Sequence, residues 1–60
     1  MPSMLHFVGG GELEVDESAA TAEVRLWSYD VRSAQLNVKD QVVIVNPAAV
    51  AYVIDVRGAD

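Results

Sequence analysis

The run Val42-Val43-Ile44-Val45, the turn residues Asn46-Pro47-Ala48-Ala49 and the run Val50-Ala51-Tyr52-Val53-Ile54-Asp55-Val56 hold nearly all the β-branched side chains of the C-terminal third. Branching at Cβ restricts χ1 and favours pleated backbone over helix. Pro47 locks its own φ and pushes Asn46 towards extended backbone, so a strand over 41–46 should end there. The Asn46 side chain can accept from a backbone N–H two residues on, and Pro47 suits the first central position of a type I turn. Beyond the turn, Val50, Tyr52, Ile54 and Val56 fall on one face and Ala51, Val53 and Asp55 on the other, a period of two that predicts a strand over 50–56. The whole stretch reads as a hairpin closed by a tight proline turn.

Neighbouring residues on a strand point to opposite faces, so four apolar residues in a row make both faces hydrophobic. A small domain has one core and covers one face. Val43, Val45 and Val53 are therefore expected to face outward together as a self-interface, each worth about 1.5–3 kcal/mol when fully buried. Size points the same way. Sixty residues make one domain, 1–60, and so small a domain buries only about 60% of its unfolded surface. The chain has no cysteine and a single histidine, His6, which removes disulfides, thiolate metal sites and histidine clusters as staples. Self-association remains, and a homo-oligomer is expected.

The net charge is −5, with Arg25, Arg32, Lys39 and Arg57 as the only fixed cations. Tracking a phosphate backbone takes several clustered Lys and Arg, so nucleic acid is a poor partner. Met1-Pro2-Ser3-Met4 has no basic region leading into a long apolar run, and no stretch of 18 apolar residues exists. Neither a secretory signal nor a membrane span is predicted, and the cytoplasm is the expected location.

Upstream, Met4 to Val8 reads as a strand with Leu5 and Phe7 on one face. Gly9-Gly10-Gly11 then supplies positive φ for a turn. A phosphate-cradling loop would need a helix directly after the glycines, whereas Glu12-Leu13-Glu14-Val15 alternates as a strand over 12–15. Glu12, Glu14 and Asp16 project from its outer face. Calcium sites draw instead on curved loops with mixed carbonyl and carboxylate ligands. A flat acidic row reads as a solvated face or a protected strand edge, or as a contact for a basic partner.

Residues 17–33 allow two readings. Asp16-Glu17-Ser18 can cap a helix, and Ala20, Val24, Trp27 and Val31 form a stripe at helical spacing. Against this, Glu23-Val24-Arg25-Leu26 alternates, Trp27-Ser28-Tyr29 prefers strand, and no Glu or Gln follows Ser18 at the capping-box position. A strand over 22–29 is preferred, followed by a turn at 30–33, a strand over 34–38 with Leu36 and Val38 inward, and a polar turn at Lys39-Asp40-Gln41. On such a strand Trp27 and Tyr29 share a face with Glu23 and Arg25, an aromatic patch of the kind enriched in binding hot spots. For Trp27 a core plug or self-interface residue is the preferred reading, an external ligand or partner site the second, and a base-stacking platform, which requires a basic groove, the third.

Six short strands with tight turns predict an all-β fold, a small antiparallel, strongly bent sheet or open barrel, with a short helix within 17–27 as the alternative. Val45-Asn46-Pro47 followed by Val50 and Tyr52 resembles the closing segment of Sm-like and SH3-like small barrels, whose RNA-contacting basic residues have no counterpart here. Phe7-Val8-Gly9-Gly10 and Val45-Asn46-Pro47 with Val50-Ala51-Tyr52-Val53 are similar to short uncharacterised proteins of actinobacteria and their phages. That likeness implies an accessory role without specifying one; for a phage-encoded chain the leading expectation is binding or inhibiting a host protein or a role in assembly. The chain also has nearly the length of the carbon-storage-regulator family but lacks its N-terminal basic strand.

No catalytic residue, cofactor site or metal site is assigned, and no nucleophile–base constellation can be drawn from one His, no Cys and scattered hydroxyls. The leading expectation is a non-enzymatic homo-oligomeric interaction protein contacting a protein partner through Trp27, Tyr29, Arg25, Glu12 and Glu14. A small-ligand binder with pockets between subunits is the second reading, and a nucleic-acid-binding ring the third.

Overall fold

A computed structural model describes residues 1–56, which form five strands and one α-helix. Arg57 lies outside the described residues. Strands β1 (Ser3–Phe7), β2 (Glu12–Val15) and β5 (Val50–Asp55) form one antiparallel sheet in the order β2-β1-β5. Strands β3 (Ala34–Val38) and β4 (Gln41–Val45) form a second, two-stranded sheet. Helix α1 (Ala19–Trp27) packs against β1, β3 and β5. The shared core holds Leu5, Val15, Leu26, Leu36, Val45 and Val50, with Ala22 and Ala34 filling between them. The domain is β-rich but not all-β, and its two sheets do not close into a barrel.

The strand expected over 22–29 is instead α1. Ser18 is its N-cap: the Ser18 side chain accepts from the Thr21 N–H, so a cap forms without the capping box. Asp55 Oδ1, reaching from β5, accepts from the Ala19 N–H at 2.8 Å. Two of the N–H groups that a helix start leaves unpaired are thus satisfied, one of them by tertiary structure. Ala22 and Leu26, spaced one turn apart, are the buried pair. The stripe Ala20, Val24 and Trp27 lies on the exposed side.

The chain at 46–49 also departs from expectation. Pro47–Ala49 is a single 3-10 turn in which Asn46 Oδ1 accepts from the Ala48 N–H. The strands it joins do not pair: β4 pairs with β3 and β5 with β1. The tightest hairpins close with two-residue primed turns whose twist brings the strands back together. A 3-10 turn opened by proline sends β5 away, and the Val8 N–H bond to the Ala49 carbonyl anchors the turn on the end of β1 (2.8 Å). A two-residue primed turn does occur at Lys39-Asp40, where both φ angles are positive (48° and 67°).

Lys39 does not suit that conformation, and Asp40 suits it less well than glycine. Replacing the pair with Asn-Gly (Lys39→Asn with Asp40→Gly) relieves left-handed strain while keeping the Lys39 N–H that Asp16 accepts. It should raise stability by about 1 kcal/mol, read as a higher midpoint in a thermal melt. An unchanged or lower midpoint would contradict the turn assignment.

The β1–β5 register shifts between His6 and Phe7: His6 stands opposite Tyr52 but Phe7 opposite Val50. Ala51 is the extra residue of a β-bulge, and one extra residue reverses the facing of everything after it. Val50 and Val53 therefore both turn inward, while Tyr52 and Ile54 turn out, each 51% exposed. The expected outward set is corrected accordingly. Val45 is buried, and Val43 and Val53 pack against the core of a single subunit. The apolar residues left outside are Val42 and Ile44 on β4 and Tyr52 and Ile54 on β5.

Candidate interaction groove and sheet edge

Cross-strand register arranges the outer face of the three-stranded sheet in two rows. One runs Glu12, His6, Tyr52 and the other Glu14, Met4, Ile54. The His6 ring stacks on Tyr52 with centroids 4.5 Å apart, and His6 Nδ1 lies 3.5 Å from Glu12 Oε2. The acidic residues thus stand on β2, one edge of the sheet, and the aromatic and aliphatic ones on β5, the other. Glu12 and Glu14 are exposed while Leu13 and Val15 turn towards the core. Asp16 leaves the row, its carboxylate accepting from the Lys39 N–H.

Trp27, Tyr29 and Arg25, expected on one strand face, are separated by the helix. Tyr29 lies beyond the end of α1 and is fully exposed. Arg25 turns to the body of the protein, where Nη1 donates to Glu17 Oε2 and to the Gln35 carbonyl, both at 3.2 Å. Trp27 keeps Glu23 as its neighbour one turn back. It lines a groove of about 400 Å³ with Ala20 and Glu23 from α1 and Ala51, Tyr52 and Val53 from β5. At 46% exposure Trp27 is neither a core plug nor fully free.

The groove runs along the free side of β5. The Val56 N–H donates to the Pro2 carbonyl, and hydrogen-bonded pairs alternate along an antiparallel ladder. Ile54 and Tyr52 therefore exchange bonds with Met4 and His6. Val53, between them, directs its N–H and C=O away from β1, where the sheet has no further strand among the described residues. An open groove, lined by Trp27 and the acidic Glu23 alike, thus lies beside unspent backbone polar groups.

Glu17 is the polar centre that holds this geometry. Its carboxylate accepts from the Asn37 N–H (3.0 Å), Asn37 Nδ2 (2.6 Å) and Arg25 Nη1. Its carbonyl accepts from the buried Ser3 hydroxyl at 2.8 Å. Burial opposes ionisation, but the Asn37 hydrogen bonds and the Arg25 charge outweigh it and hold the carboxyl below the ordinary carboxylate range. Sequence reading passes over Glu17, since nothing in Asp16-Glu17-Ser18 separates a keystone from a solvated acid.

Three serine hydroxyls bond to backbone: Ser3 donates to the Glu17 carbonyl, Ser18 accepts from the Thr21 N–H, and Ser28 donates to the Val24 carbonyl. Among the described residues no group of three or more His, Asp or Glu is placed to hold a metal ion, and no helix is long and apolar enough to cross a membrane. Compared with known protein families, curated proteins and solved structures, the chain matches none.

Proposed function

We propose that the chain is a non-enzymatic interaction module, homo-oligomeric in its working form, whose contact surface is the α1–β5 groove with the free edge of β5. The observation that carries this is Trp27, half-exposed at the end of α1, beside the Val53 N–H and C=O, to which no described strand bonds. Strand addition gains affinity from main-chain hydrogen bonds and specificity from adjacent side-chain pockets, and both are present here. Three serine hydroxyls bound to backbone and a His6 stacked on Tyr52 support binding rather than catalysis. Arg25, occupied by Glu17 and Gln35, leaves the basic residues too few and too scattered for a nucleic-acid ring. The acidic β2 row is a second contact for basic segments.

A display library of eight-residue peptides, selected on the protein and counter-selected on Trp27→Ala, tests this. The expected binders are extended, β-branched sequences whose affinity falls at least about tenfold on Trp27→Ala. Their binding should shift the emission of Trp27, the only tryptophan, to shorter wavelength. Binders indifferent to Trp27→Ala, or none at all, would overturn the reading.

A further inference from the structure

We infer that the occupant of the β5 edge is a second copy of the chain, joined by antiparallel β5–β5 pairing about a two-fold axis at Val53. The inference rests on the groove and edge being the contact surface, and it names what fills them. Three independent features of the edge point to a like strand.

The first is hydrogen bonding. Because Val53 directs both backbone groups to the free side, Val53 of each copy can exchange two hydrogen bonds with Val53 of the other, as a two-fold antiparallel pair requires. The second is register. With the axis at Val53, Tyr52 of one copy stands opposite Ile54 of the other, and Ala51 opposite Asp55. Aromatic against β-branched is a favourable cross-strand pair, and no like charges face each other across the junction. Tyr52 and Ile54, half-exposed in the single chain, would cover one another.

The third is where the charge sits. Natural sheets guard free edges with charged side chains. The β2 edge carries Glu12 and Glu14, but β5 from Val50 to Ile54 carries none. Its one acid, Asp55, is turned to the helix start. One edge is guarded and the other left bare, as an edge meant for pairing would be. The product is a continuous six-stranded sheet, β2-β1-β5-β5-β1-β2, with both helices on one face and each Trp27 over the junction. Each copy carries a net charge of −5, so added salt should strengthen the pairing by screening their repulsion.

Light scattering and native mass spectrometry of the full chain provide the test, over a concentration series at low and at about 0.5 M salt. The expected result is a concentration-dependent species of twice the 6.5 kDa chain mass, favoured by salt. Ile54→Glu should raise its dissociation constant at least tenfold. Adding Tyr52→Lys to Ile54→Glu should restore it through two reciprocal Lys–Glu pairs, and far-UV circular dichroism of Ile54→Glu alone checks that the single variant is folded. Should Ile54→Glu unfold the chain, N-methylation of the Val53 amide in a synthetic protein removes the pairing donor and leaves every side chain in place. It should then abolish the dimer.

A monomer at every concentration and salt, or a dimer unmoved by these changes, would overturn the inference. A Lys-tagged peptide of residues 49–56 separates that failure from failure of the groove itself. A Trp27 emission shift on titrating it into a strictly monomeric chain would leave the groove as a strand site and reject only self-pairing.

Discussion

Leu26→Ala is expected to remove about 2–5 kcal/mol of stability. A chain of 60 residues has roughly 3–9 kcal/mol in total, so the variant should be largely unfolded or melt at least ~10 °C lower. Leu26 is 1% exposed and lies with Leu5, Leu36 and Val45 in the core. Alanine there leaves a cavity that two small sheets and one short helix cannot collapse to fill. The companion change Val24→Ala, two residues earlier, should be neutral or slightly stabilising at dilute concentration. Val24 is 64% exposed on the outer side of α1, and alanine is the better helix former. On a strand over 22–29, Val24 and Leu26 would share a face and respond alike. Chemical denaturation of the pair therefore decides between helix and strand, and two equal losses would reject α1.

That contrast marks where the sequence stops being legible. Local signals place β1, β2, β3 and β4 within a residue or so, because alternation at Glu12-Leu13-Glu14-Val15 and the apolar run at 42–45 depend on neighbours only. Three features depend on contacts distant in the chain. Helix α1 rests partly on Asp55, 36 residues away from the Ala19 N–H it caps, which offsets the β-favouring Val24-Arg25-Leu26-Trp27. The pairing of β5 with β1 rather than β4 joins the two ends of the chain, and no short-range pattern encodes it. The bulge at Ala51 reverses which valines face the core, so a correct alternation over 50–56 still yields the wrong faces. The candidate site follows the same division. Trp27 stands out as the only tryptophan of the chain, whereas the free backbone of Val53 exists only once β5 has an inner neighbour and no outer one.

Glu17→Ala should cost about 2–4 kcal/mol although it removes no core volume. Charged hydrogen bonds contribute more than neutral ones, and loss of an acceptor leaves its donors unsatisfied. Here the Asn37 N–H, the Asn37 side-chain amide and one Arg25 arm lose a carboxylate whose side chain is 9% exposed. Glu17 joins the β2–α1 connection to β3, so its removal separates the two sheets at their polar seam. Glu17→Gln retains one acceptor oxygen and should fall between the variant and the parent.

Acid makes the same point without mutation. The folded-state pKa of Glu17 lies below its ordinary value of 4.5, so the folded chain holds fewer protons there than the unfolded chain. This contribution to stability is fully present above about pH 5, shrinks as the pH falls through 4.5, and is lost once the pH drops below the depressed folded value. The stability difference between the parent and Glu17→Gln should therefore narrow steadily from pH 6 to pH 3 in urea denaturation. A gap that stays constant or widens as acid is added would mean that the Glu17 carboxylate is not held by Asn37 and Arg25, and that the two sheets are joined by apolar packing and the Asp16 N–H bond to the Asn37 carbonyl instead.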